Sequence, residues 1–302
     1  MIAELPLHPS AVGVLDSSDE LTFDTLAAAL DGREGWVLPE FLDRLKENGV
    51  ERGTVVARDS LLAAARREAE IRGDNAVRCE YLLLGALRAA GAGPALDRAR
   101  KDFQELMADR AYGRYLRLRP RPRPDGALPP CAIFVAGLPG TGKSTLAEAL
   151  AQALRAPVFS MDWELGTLVP FGVLRPDNTW PMSELMMVSS MARQLQLGTD
   201  AIIDGAGFRA EERRRLRAVA EALLAVVIGV ECVCSDEEAH RGRLQRSRGI
   251  PGWAATVSWE HVMRMRELWE PWEEPHLVVD SAVETPAAAL AAVLASVQAS
   301  RG

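Results

Sequence analysis

The chain is 302 residues long, 48% hydrophobic and 25% charged, which is close to the globular average and excludes a disordered or fibrous chain. Its 35 basic and 42 acidic residues give a net charge of −7, which argues against a chain-wide binding surface for DNA or RNA. Four cysteines without a C-x-x-C pair exclude a disulfide scaffold and a cysteine-rich zinc site. The length predicts two domains, at roughly 100 to 200 residues per domain.

The ends and the apolar runs of the sequence carry no sign of secretion or membrane insertion. Residues 1–10 contain a glutamate and no lysine or arginine, so they lack the positive region of a signal peptide. The longest apolar run, residues 222–230, has about half the length that a membrane-spanning helix requires. We therefore expect a cytoplasmic protein that makes no membrane contact.

The first part of the chain has the periodicity of helices. Apolar residues recur near a 3.6-residue period, and glycines separate the periodic stretches. The positions that carry this pattern are Leu61, Leu62, Ala65, Ala69, Tyr81, Leu82, Leu84 and Leu87. The pattern predicts an all-helical domain over residues 1–113.

Arginine alternates with proline over residues 117–124. Proline cannot continue a helix, and the like charges favour an extended chain. The sequence therefore predicts a linker over residues 114–130. A basic arm that touches a nucleic acid or an acidic partner is the functional alternative.

After the linker, short β-rich runs alternate with helical stretches, which predicts an α/β domain over residues 131–302 with a parallel sheet between two layers of helices. Strands are expected near residues 132–136, 157–161, 201–204, 226–233 and 277–279. Helices are expected near residues 143–154, 183–197, 211–224, 236–246 and 259–269, with a last one after Pro286.

A phosphate-binding loop follows the first of these strands. Residues 137–144 read G-L-P-G-T-G-K-S and fit the pattern G-x-x-x-x-G-K-[ST] of a P-loop in full. The glycines let backbone N–H groups converge on phosphate oxygens, Lys143 reaches the β- and γ-phosphates, and the Ser144 hydroxyl binds Mg²⁺. The predicted nucleotide ligands are Gly137, Gly140, Thr141, Gly142, Lys143, Ser144 and Thr145. The loop predicts ATP with Mg²⁺, although a loop that touches only phosphates leaves GTP open.

Two acids follow predicted strands of the same sheet. Asp204 ends an apolar strand, where an acid holds Mg²⁺ directly or through water, and the next residue, Gly205, is not the glutamate of a motor ATPase. Residues 204–207 fit the D-x-x-G of GTPases, but no N-K-x-D motif follows. Asp162 follows the second strand and can accept the proton of an attacking hydroxyl. Capping of the next segment is the alternative role of Asp162.

Four arginines lie within residues 241–248, after the fourth predicted strand. Guanidinium groups match the charge that develops on a transferred phosphoryl group, so this segment can act as a lid. Arg241 and Arg248 lie seven residues apart and share a helix face, which makes them the candidate catalytic arginines. A solvated helix face that balances Glu237 and Glu238 is the alternative, and His240 is a weaker candidate for the lid.

These motifs resemble the small P-loop kinases grouped with zeta toxins, chloramphenicol phosphotransferase and polynucleotide kinase. The resemblance covers about residues 131–300 and rests on the P-loop, on S-x-D at 160–162, on I-I-D at 202–204 and on the arginine segment. It implies ATP-Mg²⁺ as the donor, a hydroxyl as the acceptor and Asp162 in the position of the catalytic acid. Polynucleotide kinases carry an arginine where this sequence has Leu165.

Residues 57–106 resemble part of a Clp amino-terminal domain. The run A-A-A-R-R-E-A at 63–69 and E-Y-L-L-L-G-A-L-R at 80–88 carry the resemblance, with Tyr81 where that family has histidine. It implies a helical double repeat that binds adaptor or substrate proteins. An ordinary helical bundle core is the alternative.

The function that follows is transfer of the ATP γ-phosphate to a hydroxyl of a small molecule. Trp163, Phe171 and Trp180 follow the second strand and suit an apolar or planar acceptor, or else pack a proline-rich loop. Two alternatives stay open. One is a nucleotide-dependent interaction protein that recruits a protein partner through its helical domain, and the other is a 5′-hydroxyl polynucleotide kinase.

Overall fold

A computed structural model describes residues 5–16, 20–47, 54–175, 178–245, 249–252 and 256–302. The chain forms two compact units, Met1–Arg110 and Ala111–Gly302, which are called the N-terminal and the C-terminal unit below. Among the described residues, no helix is both long and apolar enough to cross a membrane.

The N-terminal unit is mainly helical. Its helices are α1 (Phe23–Leu30), α2 (Leu38–Glu47), α3 (Arg58–Ile71), α4 (Cys79–Ala89) and α5, which runs from Gly93 to Tyr115. The expected helical region is therefore confirmed. The unit also contains an antiparallel pair of short strands that the sequence analysis does not predict, β1 (Glu20–Thr22) and β2 (Val55–Ala57).

A buried carboxylate links three helices of this unit. Glu68 on α3 accepts hydrogen bonds from Arg100, Arg72 and Arg88 and is fully buried. Burial opposes its ionisation, but the hydrogen bonds from Arg100, Arg72 and Arg88 outweigh that effect and lower the pKa of Glu68 to about 2. Close packing of α3 on α4 also depends on Gly85, since a Cβ there would lie 2.7 Å from the backbone nitrogen of Ala65.

The C-terminal unit contains a sheet of five parallel strands. They are β3 (Cys131–Gly137), β4 (Val158–Ser160), β5 (Ala201–Asp204), β6 (Val226–Val233) and β7 (His276–Asp280). Their spatial order is β4-β5-β3-β6-β7, so the strand that precedes the P-loop lies at the centre between β5 and β6. All five predicted strands are confirmed.

Helices cover both faces of this sheet. The described helices of this unit are α6 (Lys143–Leu154), α7 (Met161–Leu168), α8 (Thr179–Gln196), α9 (Ala210–Ala222), α10 (Glu237–Leu244), α11 (Trp259–Glu267) and α12 (Pro286–Arg301), of which α6, α12, α8 and α9 pack on the sheet. Successive side chains of a strand point to opposite faces. Ile133 and Val135 therefore pack with α6 and α12, whereas Ala132 and Phe134 pack with α8 and α9. The predicted three-layer α/β fold is confirmed.

The predicted helices and the predicted linker differ from the structure in detail. Helix α8 begins at Thr179, four residues before the predicted start at Ser183, and α7 lies in a stretch for which no helix is predicted. Part of the predicted linker packs on the C-terminal unit, since the backbone N–H of Arg121 donates to the carbonyl oxygen of Gln196 at 2.9 Å.

Candidate active site

The P-loop adopts backbone conformations that require glycine. Gly137, Gly140 and Gly142 have φ angles of 155°, 86° and 95°, in the region that side-chain-bearing residues rarely adopt. A Cβ on Gly137 would collide with the carbonyl oxygen of Cys232, and a Cβ on Gly140 would lie 2.8 Å from Leu244. The loop therefore fits tightly against the end of β6 and against α10.

A cavity of about 550 Å³, called the nucleotide cavity below, opens over the P-loop. Residues 139–146 line it, and so do Arg243 of α10 and Ser281, which follows β7. Lys143 is 9% exposed at the first position of α6, where free backbone N–H groups and the helix dipole favour an anion. Of the predicted nucleotide ligands, those from Gly140 to Thr145 line this cavity, and Gly137 does not.

The side chain of Asp204 lies buried beside the P-loop strand. It is 4% exposed, and its Oδ2 accepts a hydrogen bond of 3.1 Å from the hydroxyl of Ser160, which is in register with it on the neighbouring strand. Its Oδ1 has no hydrogen-bond partner among the described residues. A buried oxygen without a partner is costly, so this carboxylate is arranged for a ligand that the protein itself does not supply.

The donor set at this point fits Mg²⁺. Mg²⁺ is held in nucleotide sites by one or two protein oxygens, with phosphate oxygens and waters completing the shell. Ser144 offers such an oxygen in the nucleotide cavity, and Asp204, which does not line that cavity, offers another beside Ser160, which does. In the part of the chain that the structure describes, no group of three or more His, Cys, Asp or Glu side chains forms a closed metal site.

A second cavity, of about 350 Å³ and called the acceptor cavity below, is also lined by residues of the P-loop, among them Gly137 and Pro139. Asp162, in the first turn of α7, and Lys143 both line it. Pro139, Lys143 and Val257 line the nucleotide cavity as well, so the two cavities share a wall. The structure therefore brings the predicted base and the predicted phosphate-binding lysine to one place.

Aromatic residues after β4 divide between the two cavities. Trp180 lines the acceptor cavity and packs edge-on against Phe208, with ring centroids 4.6 Å apart. Trp163 lines the nucleotide cavity instead. Phe171 is 75% exposed and lines neither. One of the three rings therefore lines the cavity that contains Asp162.

The described arginine of residues 241–248 that lines the nucleotide cavity is Arg243, which is not one of the two predicted catalytic arginines. Arg241 is bound to Glu237 by two hydrogen bonds of 3.0 and 2.6 Å, stacks over Trp259 and lines neither cavity. Arg243 lines the nucleotide cavity, where it donates to the hydroxyl of Ser281 at 2.5 Å and to its carbonyl oxygen at 2.9 Å. Arg248 lies outside the described residues. The helix face that meets the cavity is thus set by packing of α10 rather than by the seven-residue spacing.

His240 supports the P-loop from α10. Its Nε2 lies 2.7 Å from the carbonyl oxygen of Pro139, and its ring packs edge-on against Trp259 at the start of α11. The side chain is buried, and burial lowers the pKa of His240 despite the hydrogen bond to Pro139. The imidazole is therefore neutral near pH 7, with Nε2 as the donor. The sequence gives little indication of this role, because His240 is a single histidine in a charged helix.

Two further charged side chains of this unit lie outside both cavities. Arg213 is buried and donates to the carbonyl oxygens of Gly207, Glu270 and Pro271 at 2.7, 3.0 and 2.6 Å, so it joins the loop after β5 to the segment after α11. Glu164 on α7 lines neither cavity, and burial raises its pKa to about 7.

Residues 133–272 match a family model described as an AAA domain. The matched segment begins inside β3 and ends after α11, so it contains the P-loop, both predicted acids and the arginine segment. Together with the five-stranded parallel sheet, this match agrees with the predicted three-layer P-loop fold of the C-terminal unit. No curated protein sequence matches the chain.

Several solved structures are similar to the C-terminal part of the chain. A candidate kinase from Chloroflexus aurantiacus is 26% identical and covers 58% of this chain and 100% of its own, with a TM-score of 0.46. A gluconokinase from Sinorhizobium meliloti 1021 is 19% identical and covers 58% of this chain and 94% of its own, with a TM-score of 0.43. Chaetomium thermophilum Kti12, solved with ADP-AlF3, is 15% identical and covers 57% and 100%, with a TM-score of 0.46.

Proposed function

We propose that the C-terminal unit is an ATP-Mg²⁺-dependent phosphotransferase that moves the γ-phosphate to a hydroxyl of a small-molecule acceptor. The observation that carries this proposal is the shared wall between the two cavities, where Lys143 faces the P-loop side and the Asp162 side at once. A donor and an acceptor held in adjacent cavities have the arrangement that in-line transfer requires.

The nucleotide side of the proposal assigns a role to each P-loop group. The backbone N–H groups of the loop and the N-terminus of α6 bind phosphate oxygens, and Lys143 neutralises charge on the β- and γ-phosphates. The Ser144 hydroxyl and the unpartnered Oδ1 of Asp204 hold Mg²⁺, directly or through water. Bound Mg²⁺ supplies further neutralisation of the phosphate oxygens.

The acceptor side of the proposal assigns proton transfer to Asp162. The acceptor oxygen forms a bond to the γ-phosphorus while the bond between that phosphorus and the β–γ bridging oxygen breaks. The Asp162 carboxylate takes the proton of the attacking hydroxyl, and ADP leaves. The volume of the acceptor cavity, about 350 Å³, lies in the range of small-molecule sites, about 300 to 1,000 Å³.

The charge that develops during transfer needs cations near the phosphate oxygens. Arg243 is the arginine of the described lid segment that lines the nucleotide cavity, so we assign it this role beside Lys143. The catalytic roles of Arg241 and Arg248 stay predictions, and the ion pair of Arg241 with Glu237 does not favour the first of them.

A mass-spectrometric screen of a metabolite mixture tests this function. The full-length protein with ATP and Mg²⁺ should convert at least one alcohol to its phosphate ester, and Lys143→Ala, which lacks the shared lysine, should not. Gln152→Ala, at an exposed position of the same helix that lines neither cavity, is the matched control and should keep transfer. A screen that yields no phosphate ester, together with an ATP-dependent pull-down of a protein partner, would instead favour the interaction protein. Radiolabel transfer to oligonucleotides would favour the polynucleotide kinase.

A further inference from the structure

Few charged side chains are among the described residues that line the acceptor cavity, and the signs of their charges indicate which acceptors fit. Among the described residues that line it, Asp162 and Lys143 are the only acidic, lysine or arginine side chains. Lys143 also lines the nucleotide cavity, where the P-loop commits it to phosphate. The nucleotide cavity has a second cation, Arg243, which does not line the acceptor cavity. An anionic acceptor group would therefore meet a carboxylate without a cation of its own.

The remaining wall of the acceptor cavity is largely apolar. Met161, Leu165, Trp180, Ala206 and Met265 line it. The rings of Trp180 and Phe208 pack against each other, so the tryptophan presents a fixed planar surface. Methionine side chains are flexible and polarisable, and they adapt to aromatic partners.

Hydroxyl and imidazole side chains complete the wall. Thr179, Thr256, Ser258 and His261 line the cavity with Asp162. Hydroxyl and imidazole groups hydrogen-bond to alcohols and amides, whereas carboxylate and phosphate groups are preferentially bound by arginine and lysine.

We propose that the acceptor is an uncharged alcohol with an aromatic or otherwise apolar body, bound with its hydroxyl towards Asp162 and its body against Trp180 and the two methionines. This inference rests on the proposed function and narrows its substrate class. An acidic sugar, a sugar phosphate or a nucleotide acceptor would place a desolvated negative charge beside Asp162, which is unfavourable.

A panel of matched alcohols tests the proposal with the full-length protein. Mandelamide is neutral and aromatic, mandelate is its anionic counterpart, and lactamide replaces the ring by a methyl group. 4-(Hydroxymethyl)benzamide and 4-(hydroxymethyl)benzoate form a second neutral and anionic pair. Transfer is measured as phosphate ester formed with ATP and Mg²⁺, and binding as quenching of tryptophan fluorescence with a non-hydrolysable ATP analogue present.

The neutral aromatic alcohols should exceed both the anionic partners and lactamide by about tenfold or more in kcat/KM. Thr256→Lys places a cation at an exposed position of the cavity wall and should raise the ratio of mandelate to mandelamide turnover. Phe171→Ala, at an exposed position outside the cavity, should leave that ratio unchanged.

Transfer to the anionic alcohols or to lactamide at equal or higher efficiency would overturn the inference and leave the proposed function standing. An unchanged ratio in Thr256→Lys would also overturn it, because the wall would then not face the acceptor. Absence of both binding and transfer across the panel, with no ester formed in the metabolite screen, would overturn the proposed function as well.

Discussion

The side chain of Lys143 takes part in both halves of the candidate site. It lies at the start of α6, is almost fully buried, and lines the nucleotide and the acceptor cavity. In the proposed reaction, a cation in this position attracts the phosphoryl group before, during and after transfer. Removing it should therefore weaken nucleotide binding and slow transfer together, which distinguishes it from residues that act on one side of the reaction.

Two arginines of α10 give a matched comparison at the residue scale. Arg243→Ala should lower kcat by about 100-fold, because it removes a charge that lines the nucleotide cavity. Arg241→Ala should lower kcat less than about twofold, because that side chain is exposed and satisfied by Glu237. Steady-state kinetics of both variants, with an acceptor that the wild-type protein phosphorylates, measure the difference.

Thermal unfolding of the two arginine variants controls for stability, since Arg243 also ties α10 to Ser281. A larger loss of kcat in Arg241→Ala than in Arg243→Ala would restore the sequence-based assignment. That result would mean that α10 presents a different face to bound nucleotide.

His240 connects helix α10 to the P-loop. The Nε2–Pro139 hydrogen bond fixes one carbonyl of the loop, and the ring contact with Trp259 connects the loop to α11, whose His261 and Met265 line the acceptor cavity. A shift of α10 would therefore move both the P-loop and the wall of the acceptor cavity. The contact explains why a buried neutral histidine stands within a strongly charged helix.

His240→Ala should raise KM for ATP by about five- to tenfold with a smaller effect on kcat, since one hydrogen bond of the loop is lost. His240→Gln can donate to the same carbonyl and should recover most of the loss. Because burial lowers the pKa of His240, the imidazole is neutral above its ordinary pKa, and the pH profile of kcat between about pH 7 and 9 should be the same in the wild type and in His240→Gln. A fall in kcat with unchanged KM would contradict the positioning role.

The elements differ in how far the sequence predicts them. Strand β3 and helix α6 could be predicted closely, because an apolar run, the P-loop pattern and a helix-forming stretch follow one another along the chain. Helix α7 could not, because Gly166 and Thr167 weaken its local signal and its formation depends on packing. The orientation of α10 depends on contacts with Ser281 and Pro139, which are distant in sequence, so the choice between Arg241 and Arg243 needed the structure.

At the scale of the whole molecule, the candidate active site and the helical unit belong to different parts of the chain. Every described residue that lines the nucleotide or the acceptor cavity belongs to Ala111–Gly302. The N-terminal unit has its own core and its own buried ion cluster around Glu68. Recruitment of a protein partner by this helical unit stays a prediction of the sequence, as do the domain boundaries at 113 and 131.

The most direct measurement is the comparison of Asp162→Asn with the wild type in two assays on the same samples, ATP-Mg²⁺ binding by calorimetry and phosphate ester formation. Asparagine keeps the size of the side chain but cannot accept the proton. The account predicts an unchanged affinity for ATP-Mg²⁺, within about twofold, and a loss of transfer of about 100-fold or more. Full turnover in Asp162→Asn would contradict it, and so would failure of the wild-type protein to bind ATP-Mg²⁺.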